Sequence, residues 1–107
     1  MATLYVTEYQ SIASPAIGAA QWSSNIQAMA QPPLAEQTVA IGGSSTQSSA
    51  FNANTCIVRL HTDSICSVEF GTNPTSTAAK ARMAANQTEY FGVPQGQSYK
   101  VAVITNS

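Results

Sequence analysis

The sequence predicts an all-β fold: a single β-sandwich or jelly-roll-like domain of about eight short antiparallel strands with an extended N-terminal arm. Short segments of alternating apolar and polar residues recur along the chain, and Gly, Pro and Asn turns separate them at roughly 8–12-residue spacing. The 107 residues are the size of one domain. We therefore expect residues 1–107 to form a single β domain, in which residues 10–35 are an irregular arm or long loop.

Each strand is predicted from the alternation of its side chains between two faces. In the first strand, Leu4, Val6 and Glu8 alternate with the residues between them. A strand is predicted at residues 80–85, and a helix at 78–85 is the alternative because these residues favour helices. The short length of the segment and its position among strands favour the strand. The predicted strands lie at residues 4–9, 36–41, 46–51, 55–61, 65–70, 80–85, 89–93 and 99–104.

The stretch Thr55–Phe70 is predicted to form a central β-hairpin. Two runs rich in β-branched residues are separated there by Thr62-Asp63-Ser64, which is a hairpin pattern. A three-residue loop at 62–64 matches the apolar faces of the two runs, whereas a two-residue loop places core residues opposite surface residues. The resulting register pairs Leu60 with Cys66, Val58 with Val68 and Cys56 with Phe70, and it places Arg59 diagonal to Glu69, within reach of a weak surface ion pair.

The two cysteines are predicted to be free, buried thiols that behave as small hydrophobic side chains. In the hairpin register they share a face but lie two residue pairs apart along the ladder. Four residues of strand span about 13 Å, which exceeds the roughly 7 Å Cα separation that a disulfide allows.

The arm at 10–35 has no clear period and contains four helix or strand breakers, Pro15, Gly18, Pro32 and Pro33. A short helix over 15–22 is one alternative, since Pro suits the first helical position; an extended arm with a short strand at 25–30 is the preferred one. A loop of this length in a small domain is often functional. Its candidate partner contacts are Trp22, Ile26, Met29, Pro32 and Pro33, of which Trp22 is the residue type most common at binding hot spots.

Composition excludes several classes of partner. Charged residues make up 8% of the chain, against roughly 25% in an ordinary domain. The four basic residues are scattered, so we expect no nucleic-acid binding. No run approaches the roughly 18 apolar residues of a membrane span, and the first residues lack the basic and apolar regions of a signal peptide. Such a nearly uncharged surface favours an assembly that covers much of it, with a dimer or trimer expected.

The sequence predicts neither an enzyme nor a cofactor or metal site. His61, Asp63 and Ser64 have the residue types of a catalytic triad, but they fall within one tight turn rather than converging from separate elements. The five carboxylates are dispersed, so no acid/base pair is visible. An alternative binding chemistry rests on Trp22 or Tyr90, because an exposed aromatic ring with nearby amides is typical of a carbohydrate-binding β-sandwich.

Several short motifs resemble those of small all-β virion proteins of tailed bacteriophages. The resemblance covers most of residues 3–105 except the arm at 10–31, and it consists of short sequence motifs rather than a catalytic signature. These motifs are Leu4-Tyr5-Val6-Thr7-Glu8-Tyr9, Pro33-Leu34-Ala35-Glu36-Gln37-Thr38-Val39, Val58-Arg59-Leu60-His61, Val68-Glu69-Phe70-Gly71-Thr72-Asn73-Pro74, Ala84-Ala85-Asn86, Glu89-Tyr90-Phe91-Gly92-Val93 and Val101-Ala102-Val103-Ile104.

This resemblance implies a non-enzymatic virion structural protein, assembled in the host cytoplasm. The leading expectation is a capsid decoration, or cement, protein that binds the outside of the major capsid shell. A tail or head-to-tail accessory protein is the first alternative, since it would have the same chemistry at another position in the virion. The carbohydrate-binding β-sandwich is the second.

Overall fold

The computed structural model describes residues 2–11 and 31–106. Within these residues, eight β-strands form two four-stranded antiparallel sheets that pack as a sandwich, which confirms the predicted all-β class. The strands are β1 (Thr3–Tyr9), β2 (Ala35–Ala40), β3 (Thr46–Gln47), β4 (Ile57–Thr62), β5 (Cys66–Gly71), β6 (Ala81–Met83), β7 (Thr88–Gly92) and β8 (Lys100–Thr105).

Alternation of side chains decides which face of each strand enters the core. On β4, for example, Val58 and Leu60 are fully buried, whereas Arg59 and His61 between them are partly exposed. Three phenylalanines close one part of the core, with ring centroids 6.3 Å apart for Phe51 and Phe70 and 5.0 Å apart for Phe70 and Phe91. The buried core cluster comprises Leu4, Val6, Val39, Ile41, Phe51, Val58, Leu60, Cys66, Val68, Met83, Val93, Val101 and Val103.

The strand order is β2-β1-β4-β7 in the first sheet and β3-β8-β5-β6 in the second. In the first sheet, Val6 lies between Gln37 of β2 and Leu60 of β4. In the second, Val68 lies between Val103 of β8 and Ala81 of β6. Successive strands mostly belong to opposite sheets, because of the seven connections only β1–β2 and β5–β6 join strands of the same sheet among the described strands.

The predicted hairpin between β4 and β5 is wrong, because the two strands lie in different sheets. The chain between them is a corner with one hydrogen bond to each sheet: the Asp63 N–H donates to Thr3 O at 3.2 Å, and Ile65 O accepts from Asn106 N at 3.1 Å. The apolar faces of the two runs therefore meet across the core instead of side by side. Both arrangements bury the same residues, so the alternation pattern alone does not distinguish them.

The predicted Arg59–Glu69 ion pair is wrong for the same reason. Glu69 lies in the second sheet and pairs with Lys80, whose Nζ is 3.1 Å from the carboxylate, at an exposed position. The cysteines are free, as predicted. Cys66 is buried, whereas Cys56 is only half-buried and its thiol donates to Gln10 O.

Strand bounds differ from the prediction mainly where the alternation is weak. The segment predicted at 46–51 is a strand only at Thr46–Gln47. The segment at 80–85 forms β structure rather than a helix, but only over Ala81–Met83. The predicted turn after it is present, with Asn86 at a φ of 61°, a left-handed conformation that Asn tolerates better than most residues.

Candidate functional site

The outer face of the first sheet carries the most exposed large apolar side chains of the described residues. Residues that alternate with the core positions point outward from β1, β4 and β7. Among them, Tyr5 is 42% exposed and Tyr90 is 55% exposed. The strand register places Tyr5 opposite His61 and Tyr90 opposite Arg59, with β4 between the two tyrosine strands. This outer face of the sheet β2-β1-β4-β7 is called the open face below.

A shallow depression of about 450 Å³ lies on the open face. It is lined by Tyr5 and Thr7 of β1, Glu36 of β2, Arg59 and His61 of β4, and Asp63 of the corner after β4. The ring centroids of Tyr5 and His61 are 6.2 Å apart with an interplanar angle of 44°, so the two rings form one tilted aromatic wall. Every lining side chain ends in a group that makes hydrogen bonds.

Most of those groups have no partner within residues 2–11 and 31–106. His61 Nδ1 lies 2.8 Å from the Thr88 hydroxyl, which orients the imidazole and leaves Nε2 available. No hydrogen bond or ion pair within the described chain engages the side chains of Glu36, Arg59 or Asp63. Three of the nine charged residues of the protein thus line one depression without neutralising one another.

The middle of the outer face of the second sheet is covered by its own chain. Ser67 and Ala102 point outward there, yet both are fully buried. The connection between β5 and β6 lies against this face: the Ser76 hydroxyl donates to Ser67 O at 2.7 Å, and Gln47 Nε2 donates to Pro74 O at 2.8 Å. The two faces of the sandwich therefore differ, and the open face is the one that presents aromatic rings.

A second polar cluster is built around Glu8, whose side chain is only 1% exposed. Glu8 faces inward at the end of β1. Its Oε1 accepts from the Asn52 N–H at 2.7 Å and from the Thr55 hydroxyl at 2.9 Å, and its Oε2 accepts from Gln37 Nε2 at 3.2 Å. Gln37 in turn binds both the N–H and the carbonyl of Ser49. Three donors therefore supply hydrogen bonds to one buried carboxylate, as the burial of a polar group requires.

The segment between β1 and β2 leaves and returns at this end of the sandwich. Glu8 and Ala35 are paired residues, the Leu34 N–H donates to Glu8 O at 2.7 Å, and Gln31 Nε2 donates to the Tyr9 hydroxyl at 3.2 Å. The two ends of the predicted arm are therefore joined by the sheet itself.

Three of the predicted partner contacts, Trp22, Ile26 and Met29, lie outside the described residues, as do the alternative helix at 15–22 and strand at 25–30. The other two are described: Pro32 is exposed and Pro33 is half-buried. For Pro32 and Pro33, no described contact brings the side chain to the open face.

The His61, Asp63 and Ser64 side chains do not form a catalytic arrangement. His61 contacts Thr88, and the polar groups of the turn bond locally, with the Thr62 hydroxyl donating to Ser64 O at 2.6 Å. Within the described residues, no group of three or more His, Cys, Asp or Glu side chains is placed to hold a metal ion. Burial raises the pKa of the Cys66 thiol, and the hydrogen bond between this thiol and the Thr62 hydroxyl opposes the shift in part.

Tyr90 of the open face was named from the sequence as an exposed aromatic residue, but the depression itself was not predicted. The outward positions of β1 and β4 were readable from alternation, and they include Tyr5, Arg59 and His61. The order of the strands in the sheets was not predictable from alternation. The incorrect β4–β5 hairpin therefore placed Arg59 near Glu69 rather than near Tyr90.

No helix of the described residues is long and apolar enough to cross a membrane. No known protein family, curated protein or solved structure matches this chain.

Proposed function

We propose that this protein is a non-enzymatic structural component of a tailed-bacteriophage virion, a capsid decoration protein that binds the outside of the major capsid shell as a dimer or trimer. The similarity of its short motifs to small all-β virion proteins supports the proposal. Its nearly uncharged surface supports it too, because interface cores are depleted in charged residues.

The observation that carries the proposal is the pairing of β1 with β2, the two strands that flank the arm. Strand β1 pairs with β2 over six residue pairs, and the Leu34–Glu8 hydrogen bond closes the last of them. The backbone ladder therefore joins the two strands that flank the arm, and the sequence between them contains Trp22, Ile26 and Met29. A long segment with apolar residues between two paired strands is suited to contact another protein.

The test is to replace residues 10–31 with a short flexible linker. We expect the shortened protein to melt cooperatively near the wild-type temperature, because the described core cluster lies outside residues 10–31 and loop length alters stability only weakly, by about 0.6 kcal/mol per doubling. We also expect it to lose binding to capsid shells that lack decoration, measured by co-sedimentation beside wild type.

Two results would contradict this role of the arm. Full retention of shell binding would show that the arm is a solvent loop, and loss of cooperative melting would show that it belongs to the core. Failure of the wild-type protein to bind shells would count against the decoration proposal as a whole.

A tail or head-to-tail accessory protein is the alternative within the same class. Copy number distinguishes the two, because a decoration protein is present in proportion to the capsid subunits, whereas a neck or tail component is present in one ring or a few. Quantitative mass spectrometry of purified virions measures this ratio.

A further inference from the structure

We propose that the depression on the open face is a binding site for a neutral carbohydrate. The proposal concerns the sheet surface rather than the arm, and it does not depend on the capsid role.

The depression is lined by both hydrogen-bond donors and hydrogen-bond acceptors. The Arg59 guanidinium is a donor only, whereas the Glu36 and Asp63 carboxylates are acceptors only. These groups line the same 450 Å³ depression and have no partner within the described chain. A sugar hydroxyl both donates and accepts, so a set of vicinal hydroxyls satisfies such a mixed lining.

Charged side chains of both signs line the depression. An anionic ligand that reaches Arg59 also meets the carboxylates of Glu36 and Asp63, and a cationic ligand that reaches these carboxylates meets Arg59. Like-charge contacts of this kind are unfavourable where solvent is displaced. The lining therefore favours a ligand that is polar but uncharged.

Exposed aromatic rings lie in and beside the depression. Tyr5 forms one wall of the depression, and Tyr90 lies on the next strand beyond Arg59. Both rings are substantially exposed. An exposed tyrosine offers a rigid apolar ring with a polar hydroxyl at its edge, and a pyranose offers an apolar C–H face with polar edges. The separation of the two tyrosines by a strand indicates that a ligand of more than one sugar unit would contact both.

An alternative occupant is a protein partner, since Tyr and Arg are also common in interface hot spots. The depression is less suited to that role, because hot spots combine an apolar anchor with a dry pocket, whereas every lining side chain here presents a polar terminus.

The experiment begins with the purified full-length protein on an array of neutral, sialylated and sulfated oligosaccharides. We expect binding to one or more neutral oligosaccharides and none to the anionic ones. The bound oligosaccharide is then added to ¹⁵N-labelled protein, and amide shifts are expected at Tyr5, Arg59, His61 and Tyr90. This mapping uses wild-type protein, so it does not depend on the folding of any variant.

A matched pair of variants tests the residues themselves. Arg59→Met removes the guanidinium of the depression, and Arg82→Met removes an exposed guanidinium on β6 of the opposite sheet. We expect Arg59→Met to weaken affinity about tenfold, the loss expected for one charge-assisted hydrogen bond, and Arg82→Met to leave it unchanged. Tyr5→Ala should weaken affinity at least as much.

Absence of binding to every neutral oligosaccharide would overturn the proposal. It would also be overturned by preference for anionic sugars, by amide shifts confined to other surfaces, or by equal effects of the two arginine substitutions. A protein partner is the alternative outcome. It would be indicated if the open face were protected from hydrogen exchange only in protein bound to a capsid shell, and if sugars produced no such protection.

Discussion

Removal of the Glu8 carboxylate should destabilise the fold more than removal of any exposed charge. In Glu8→Ala, the buried Thr55 hydroxyl loses its 2.9 Å acceptor and the Asn52 N–H loses its 2.7 Å acceptor. A hydrogen bond to a charged group contributes about 1.5–3 kcal/mol, and relief of the desolvation of the buried carboxylate offsets part of the loss. We therefore expect a decrease of about 3 kcal/mol in the free energy of unfolding.

The more conservative Glu8→Gln separates charge from shape. The new amide oxygen accepts from Thr55 and Asn52, but its NH₂ group faces the NH₂ group of Gln37. Gln37 is held in this orientation because it binds both the N–H and the carbonyl of Ser49. We expect a loss of about 1 kcal/mol, the cost of one unmade hydrogen bond.

Urea unfolding followed by far-UV circular dichroism measures these differences. Glu36→Ala is the matched control, since it removes an exposed carboxylate from the adjacent strand and should change stability by no more than about 0.5 kcal/mol. The expected loss for Glu8→Ala lowers the melting temperature by roughly 10–20 °C in a domain of this size. If Glu8→Ala and Glu36→Ala unfold at the same urea concentration, the Glu8 network does not hold the 52–55 loop and our reasoning is refuted.

Three further predictions concern the core. Cys56 should react with a soluble thiol reagent in the native state while Cys66 reacts only on unfolding, and equal native rates would contradict the burial assignment. Because burial raises the pKa of Cys66 in the folded state, its contribution to stability is complete below the ordinary thiol pKa and is lost as the pH rises through the raised value. The stability difference between wild type and Cys66→Ala, measured by urea titration at a series of pH values, should therefore shrink as the pH rises above the ordinary thiol pKa. Leu60→Ala should cost about 2–5 kcal/mol, since Leu60 is fully buried, against little for Tyr90→Ala, and equal urea midpoints for the two variants would contradict the core assignment.

The inward and outward faces of the strands were predictable because alternation is a local property. Val58 and Leu60 were placed on the apolar face of the fourth predicted strand from their spacing, and both are buried. The same parity placed Glu8 on the core side of β1 with Leu4 and Val6.

Strand partners were not predictable, because they depend on contacts distant in sequence. A three-residue link between β4 and β5 has the length of a hairpin loop, but bonds from Asp63 to Thr3 and from Asn106 to Ile65 make it a corner between sheets. Neither partner is visible in the local pattern. The depression was missed for the same reason, since Glu36, Tyr5 and Arg59 come from three strands whose order only the fold provides.

The alternation of successive strands between the two sheets has a kinetic consequence. A short β-hairpin can form early, because little loop entropy is lost in closing it. Here the two connections within a sheet, β1–β2 and β5–β6, span residues 10–34 and 72–80, so neither is a tight hairpin. The transition state for folding must therefore assemble strands that are far apart in sequence, and the protein should refold on the slow, millisecond-to-second scale of all-β sandwiches.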